Sequence, residues 1–269
     1  MTELRMDRSD FDRTTTLTPN GADSGSFTVD LDAGWSSLVG VHGGYLCSLA
    51  VRAAETVVEH RSVRTLTTSF LRTASVGAAV VSVREIRRGR TMSTIAVDID
   101  QDGRHLLSSR LTAFVERAGV EWSTPVDLEL PPVERCVPME PGNVAHFGRV
   151  DGRFDPASLP FSGGERAMVQ GFLRPLEGRH VDSAWLAMAS DWFPPPAFVR
   201  LDPPTGGVSI DLTTHVHQPD VRLGDDDWLR ARFEIRTSTN GLAVEHGLIT
   251  LGDGTLVAES FQTRLTAQD

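Results

Sequence analysis

The hydrophobic pattern of the first half of the chain predicts one helix, over residues 41–60. Its apolar positions recur every three or four residues and would form one face: Leu46, Leu49, Ala50, Ala53, Ala54 and Val57. The flexible pair Gly43-Gly44 stands at the start of this helix. The pattern then changes to β-rich segments separated by polar turns, at 64–72, 79–87, 92–100 and 104–115. The first half therefore predicts a helix followed by an antiparallel meander.

The second half repeats this order. A helix is predicted over 182–192, and strands at 147–154, 166–173, 208–217, 228–237, 242–251 and 255–265. The turn Asp253-Gly254 corresponds to Asp102-Gly103, and Thr213-Thr214 corresponds to Thr67-Thr68. Between the halves, residues 121–145 are rich in proline and show little periodicity. We therefore expect a duplicated domain, with one copy over 1–120, a linker over 121–145 and the second copy over 146–269.

Composition narrows the class of protein. The 269 residues are 40% hydrophobic and 23% charged, a globular balance with room for two domains. The net charge of −10 disfavours a nucleic-acid partner, because phosphate binding usually needs a basic surface. Cys47 and Cys136 are far apart in the sequence, which favours a reducing compartment. No apolar run suggests a membrane span or a signal peptide, so we expect a cytoplasmic protein without a membrane partner.

Short motifs in both halves carry a resemblance to a known family. They are GVHGG at 40–44, TSFLR at 68–72, EIRRGR at 85–90, ASD at 189–191, VSID at 208–211, HQP at 217–219 and VAESFQ at 257–262. In this order the chain resembles, over roughly residues 24–265, the acyl-CoA thioesterase II family of double-hotdog thioesterases. The resemblance implies an α+β fold in which two antiparallel sheets each wrap around a central helix, with the active site where the halves meet.

The resemblance also implies a function in lipid metabolism: the hydrolysis of acyl-CoA thioesters to free acid and coenzyme A, without a cofactor. In the family an aspartate, a threonine or serine, and a glutamine hold the attacking water, and these roles fall on Asp191, Ser209 and Gln262. Ser209 stands where the bacterial members commonly have threonine, which keeps the hydroxyl but loses the β-branch that stiffens χ1. We also expect a homo-oligomer, a dimer or higher.

The residues themselves leave each of these roles open. Asp191 lies on or beside the apolar stripe of the second predicted helix, where it could be a general base or a structural carboxylate near the helix end. Strict alternation places Ser209 on the polar strand face of Asp211 and Thr213, which is either solvent or a wet cleft. Gln262 shares a face with small residues and could point into a cavity or be an ordinary cross-strand amide.

Further candidates have lesser support. Gly43 and Gly44 open a helix, so their N–H groups could stabilise the thioester oxyanion, with His42 as an orienting residue. The cluster of Arg87, Arg88 and Arg90 could receive the phosphates of coenzyme A, or it could be a solvated turn. The pair His215 and His217 has no clear third ligand, so no metal site is predicted.

Two other functions stay open at this point. One is a double-hotdog dehydratase or enoyl-CoA hydratase, which would need a histidine and an aspartate acting together. The other is an acyl-CoA binding module without catalysis, because a fold does not establish a function. The preferred acyl chain and the pathway are not legible in the sequence.

Overall fold

The computed structural model describes residues 9–21, 25–178, 180–200 and 207–266. In these residues there are three α-helices: α1 (Asp10–Thr14), α2 (Gly43–Val57) and α3 (Ser183–Ala189). The strands of the first half are β1 (Thr18–Pro19), β2 (Ser26–Leu31), β3 (Ser62–Phe70), β4 (Gly77–Arg88), β5 (Met92–Gln101) and β6 (Arg104–Phe114). Those of the second half are β7 (Val137–Pro138), β8 (Val150–Phe154), β9 (Ala167–Pro175), β10 (His180–Asp182), β11 (Ser209–Val216), β12 (Asp220–Arg222), β13 (Leu229–Thr239), β14 (Leu242–Thr250) and β15 (Leu256–Leu265).

Thirteen of these strands form one antiparallel sheet, in the order β1-β2-β4-β5-β6-β3-β11-β15-β14-β13-β9-β8-β7. The sequence predicted two sheets, and the structure joins those of the two halves edge to edge through β3 and β11. Thr67 and Thr213, which the sequence predicted to be equivalent, lie opposite each other there, and Thr213 Oγ1 donates to Thr67 Oγ1 at 3.2 Å. This pair therefore marks an approximate two-fold axis between the halves.

Helix α2 packs on the sheet of the first half, against β3, β4, β5 and β6. His42 caps its start, since the imidazole Nδ1 accepts a hydrogen bond from Tyr45 N at 3.2 Å, and the helix begins at Gly43 rather than at 41. It ends at Val57, before the predicted residue 60, because Val58 is extended and His60 has a φ of 54°. α3 packs against α2, so the two helices bring the halves together.

The second helix is shorter than the predicted 182–192. After Ala189 the chain tightens into a turn, in which Asp191 N donates to Met188 O at 3.2 Å and Trp192 N donates to Ala189 O at 3.3 Å. The sequence placed Asp191 inside the helix, and this was wrong: Asp191 lies two residues beyond the end of α3. The turn directs its side chain to the start of α2.

The predicted linker is partly built into the second half. Val126 N donates to Gly254 O at 2.9 Å, the side chain of Leu128 is fully buried, and β7 pairs with β8. Within the described ranges, no helix combines the length and the apolar character needed to cross a membrane.

Candidate active site

The structure brings Asp191, Ser209 and Gln262 together. Gln262 Nε2 donates to Asp191 Oδ1 at 2.8 Å and to Ser209 Oγ at 2.5 Å. The three residues come from three elements: the turn after α3, the first residue of β11 and the middle of β15. Asp191 is only 8% exposed and Gln262 only 1% exposed. Residues far apart in the sequence thus form one hydrogen-bonded cluster, in which Asp191 and Gln262 are buried and Ser209 is half-buried.

A β-bulge brings Ser209 into this cluster. In the ladder between β11 and β15, Leu212 lies opposite Gln262 and Asp211 opposite Thr263, but Ser209 lies opposite Arg264. One extra residue of β11 is therefore accommodated between 209 and 211, which turns Ser209 to the face that carries Gln262. The prediction that Ser209 shares a face with Asp211 and Thr213 was wrong for this reason. Alternation alone cannot show a bulge.

The N-terminus of α2 holds the other carboxylate oxygen of Asp191. Gly44 N donates to Asp191 Oδ2 at 2.9 Å. A Cβ on Gly44 would lie 2.5 Å from Met188 O, and a Cβ on Gly43 would lie 2.8 Å from Asp191 Oδ2. The glycine pair therefore permits the close approach of the two helix ends. Among the described residues, none accepts a hydrogen bond from Gly43 N.

His42 supports the same junction through both ring nitrogens. Nδ1 accepts from Tyr45 N, and Nε2 donates to the backbone oxygen of Asp191 at 2.8 Å. Its ring stacks on His146 with centroids 4.2 Å apart. Burial lowers the pKa of His42 although Asp191 is near, and burial together with His42 lowers the pKa of His146 to about 3. Both imidazoles are therefore neutral at ordinary pH, and His42 is a structural contact of Asp191.

The sequence analysis missed two residues of this cluster, Arg264 and Glu245. Arg264 Nε donates to Glu245 Oε2 at 2.5 Å, and both side chains are almost completely buried. The guanidinium also contacts Ser209 Oγ at 3.0 Å, Gln262 Oε1 at 2.8 Å and Asp191 Oδ1 at 3.2 Å. A signal was present, because Arg264 is two residues after Gln262 and therefore shares its strand face.

The neighbouring charges set the protonation of this cluster. Burial by itself raises the pKa of the Asp191 carboxyl, but the His42 ring, the Arg264 charge and the hydrogen bonds from Gln262 and Gly44 together outweigh burial and hold this pKa below its usual value. Burial raises the pKa of Glu245, because Arg264 compensates it only in part and Asp191 opposes its charge. Asp191 is therefore the more acidic of the two carboxyls that share the guanidinium.

Family models match both halves of the chain. The acyl-CoA thioesterase N-terminal domain matches residues 31–116, and the acyl-CoA thioesterase C-terminal domain matches residues 126–266, more than half of the chain. The chain belongs to the acyl-CoA thioesterase family. It is therefore a thioester hydrolase by family. No curated protein matches this thioesterase by sequence.

Solved structures give the fold of the thioesterase. A thioesterase II candidate from Thermobifida fusca is 24% identical with a TM-score of 0.84, covering 97% of this chain and 99% of that chain. A conserved protein of unknown function with a hot dog fold, from Alicyclobacillus acidocaldarius, is 20% identical with a TM-score of 0.86, covering 97% and 99%. An acyl-CoA thioesterase II from Mycobacterium marinum is 20% identical with a TM-score of 0.76, covering 96% and 98%. The hot dog fold is therefore confirmed.

The structure does not bring the arginine cluster of this thioesterase to the site. Arg88 donates to Val57 O at 2.8 Å, at the C-terminal end of α2, and to Glu85 Oε2 at 2.8 Å. The site lies at the N-terminal end of the same helix, about 20 Å away at 1.5 Å per residue. The coenzyme A role of Arg87, Arg88 and Arg90 stays a prediction. Within the described residues, no group of three or more His, Cys, Asp or Glu side chains could hold a metal ion.

Proposed function

We propose that this thioesterase hydrolyses acyl-CoA thioesters to free acid and coenzyme A by direct attack of a water molecule held by Asp191, Ser209 and Gln262. The observation that carries the proposal is the Gln262 amide, which joins the Asp191 carboxylate to the Ser209 hydroxyl, next to the start of α2. Such a cluster unites a candidate base, a hydroxyl that can orient water and a helix N-terminus that favours negative charge.

Asp191 acts as the general base. Its low pKa keeps it ionised at neutral pH, so it can accept a proton from the attacking water. The oxygen of the water adds to the thioester carbonyl carbon, and the tetrahedral intermediate then collapses with loss of the coenzyme A thiolate. The proton that Asp191 accepted passes to this thiolate, which restores the carboxylate and leaves the acid and the thiol.

Ser209 and Gln262 orient the water, each in a different way. Ser209 Oγ accepts hydrogen bonds from Gln262 and Arg264, so its own hydrogen is free to be donated to the water. Gln262 uses its amide nitrogen on Asp191 and Ser209. Gln262 thus orients the water through these two partners, by fixing the distance between the base and the hydroxyl.

The N-terminus of α2 stabilises the oxyanion of the tetrahedral intermediate. The N–H of Gly44 is used by Asp191, so the donor in this proposal is the N–H of Gly43, aided by the dipole of a helix of 15 residues. Gly43 is adjacent to Asp191 Oδ2, so the oxyanion and the base would lie on the same side of the junction.

The hydratase alternative has less support in this geometry. His42 Nε2 is 3.5 Å from Asp191 Oδ2, which is the histidine and aspartate pair that a hydratase needs. Both ring nitrogens, however, are held by backbone groups, so the imidazole has no nitrogen free for a substrate. A crotonyl-CoA hydration assay separates the two activities.

The test is a panel of acyl-CoA esters of different chain length and branching, followed by release of free thiol and by mass spectrometry of the acid. We expect equal amounts of thiol and acid for the preferred ester. A single turnover in H₂¹⁸O should place the label in the released acid, and label in Asp191 instead would contradict direct attack by water. Binding of acyl-CoA without thiol release would select the non-catalytic binding module.

A further inference from the structure

The buried pair of Arg264 and Glu245 lies in direct contact with the proposed hydrolytic residues. Arginine and glutamate are almost never fully buried unless they are paired, and here they are 3% and 2% exposed. Within the cluster, one guanidinium contacts the base, the hydroxyl and the amide at 3.2 Å or less. Its remaining contacts are Glu245 and the backbone oxygen of Gly207, at 3.0 Å from Nη1.

We propose that Arg264 is a positioning residue of the hydrolytic site, which fixes the Gln262 amide and balances the charge of Asp191, and that Glu245 holds Arg264 in place. This inference rests on the proposed function. Arg264 does not touch the substrate in this proposal and acts through the residues that hold the water.

The first part of the inference concerns the orientation of the Gln262 amide. Arg264 Nη2 donates to Gln262 Oε1 at 2.8 Å. A guanidinium only donates hydrogen bonds, so the oxygen of the amide must face Arg264 and its nitrogen must face Asp191 and Ser209. The flipped amide would set two donors against each other. Arg264 therefore selects the only orientation in which Gln262 can join the base to the hydroxyl.

The second part concerns charge. The titratable groups that face Asp191 are His42, His146, Cys47, Glu245 and Arg264. Burial keeps the two imidazoles neutral, and it raises the pKa of the Cys47 thiol to about 12. Among these described neighbours, Arg264 is thus the permanent positive charge that, together with the nearby His42 ring, offsets the burial of the Asp191 carboxylate. Loss of Arg264 would raise the pKa of Asp191 and so shift the balance toward the protonated acid, which cannot act as a base.

Glu245 offsets the cost of burying the charge of Arg264 and orients its guanidinium. Its carboxylate accepts from Arg264 Nε at 2.5 Å and from Nη2 at 3.4 Å, which orients the guanidinium plane. The rest of the fork is then free to reach Ser209, Gln262 and Asp191. A lysine has one ammonium on a flexible stem and cannot reproduce this set of contacts.

The experiment compares two variants with the wild type by pH profiles of kcat and KM. Arg264→Met combined with Glu245→Met removes both charges, so neither partner is left buried and alone. We expect kcat to fall about tenfold or more, the equivalent of one lost charge-assisted hydrogen bond, and the acidic limb of kcat/KM to move to higher pH, with KM nearly unchanged. Arg264→Lys keeps the charge and should lower kcat without moving the acidic limb.

A matched control is the ion pair of Arg174 and Asp151, which joins β8 to β9 at 2.9 Å. Arg174→Met combined with Asp151→Asn should leave kcat and the acidic limb unchanged. Wild-type kcat and pH profile in the site double variant would overturn the inference. If the double variant of Arg264 and Glu245 does not unfold cooperatively in urea, the test rests on Arg264→Lys. Wild-type kcat in Arg264→Lys would then overturn the inference.

Failure of this inference is distinguishable from failure of the proposed function. If Asp191→Asn is inactive while the Arg264 variants behave as the wild type, only the positioning role is refuted. If Asp191→Asn keeps full turnover, the proposed function itself is refuted.

Discussion

Replacing Asp191 by asparagine tests the proposed base with the smallest change of shape. The carboxylate accepts three hydrogen bonds: from Gln262 and Arg264 on Oδ1 and from Gly44 on Oδ2. Asparagine has one oxygen, so its amide can accept from Gln262 and Arg264 but then sets its nitrogen against the N–H of Gly44. The substitution therefore removes the negative charge and one charge-assisted hydrogen bond at once.

The structure gives a magnitude for each effect. Loss of the bond to Gly44, which leaves a buried donor without a partner, should cost about 1–3 kcal/mol of unfolding free energy. Loss of the general base should lower kcat by about 10²-fold or more, while KM changes little because the ligand is held by its acyl and coenzyme A parts. A loss of about 1–3 kcal/mol is smaller than the usual 5–15 kcal/mol stability of a folded protein, so turnover should fall while the fold persists.

The assay is free-thiol release from the preferred acyl-CoA, together with urea unfolding of the same preparation. Asp98→Asn is the control, since Asp98 is an exposed carboxylate on β5 that accepts from Ser108 Oγ at 2.6 Å. It should keep wild-type turnover. Near-full turnover in Asp191→Asn, or loss of its cooperative unfolding transition along with activity, would show that the carboxylate is structural and that the mechanism is wrong.

Three further predictions follow from the same geometry. Gly44→Ala should lower kcat by about tenfold or more, because the new Cβ would lie 2.5 Å from Met188 O and would push the N–H of residue 44 away from Asp191. The control is Gly252→Ala, which has open space around it and should keep wild-type turnover in the thiol assay. The acidic limb of kcat/KM should lie below the ordinary aspartate pKa of about 4. The ionised Asp191 should stabilise the fold above about pH 4, and this stability should be lost as the pH falls through the lower pKa of Asp191 in the folded protein. An acidic limb well above about pH 4 in a pH titration would contradict the charge balance described here. A fragment of residues 146–269 should be inactive when purified alone, since the α2 residues of the site lie outside it, and thiol release by that fragment would refute a shared site.

The sequence could predict the elements because each one follows its own periodicity. The helix at the start of the first half and the long strands β4, β5, β6, β14 and β15 lie within a few residues of their predicted positions. The repeat was also legible, since equivalent turns and threonines recur in both halves. Joining the two predicted sheets through β3 and β11 depends on contact between distant segments, which periodicity does not contain.

The sequence could propose members of the candidate site but not its geometry. Asp191, Ser209 and Gln262 came from the resemblance, and they do lie together. Three local departures from regular structure place them: the turn after α3, the bulge at the start of β11, and the close approach that Gly44 permits. Each departure depends on tertiary contacts. Arg264 was missed because a charged residue near the end of a strand is usually exposed.

The approximate two-fold axis at Thr67 and Thr213 relates two copies of one fold that differ in their side chains at equivalent positions. In β11 and β15, Leu212 faces Gln262, and at the matching place in β3 and β6 Leu66 faces Leu111. The first copy has a fully buried leucine where the second has its amide. In an oligomer of identical subunits one substitution changes every copy, whereas two copies within one chain can change independently. The first copy here contributes the N-terminus of α2 to the candidate site, and the second contributes Asp191, Ser209 and Gln262.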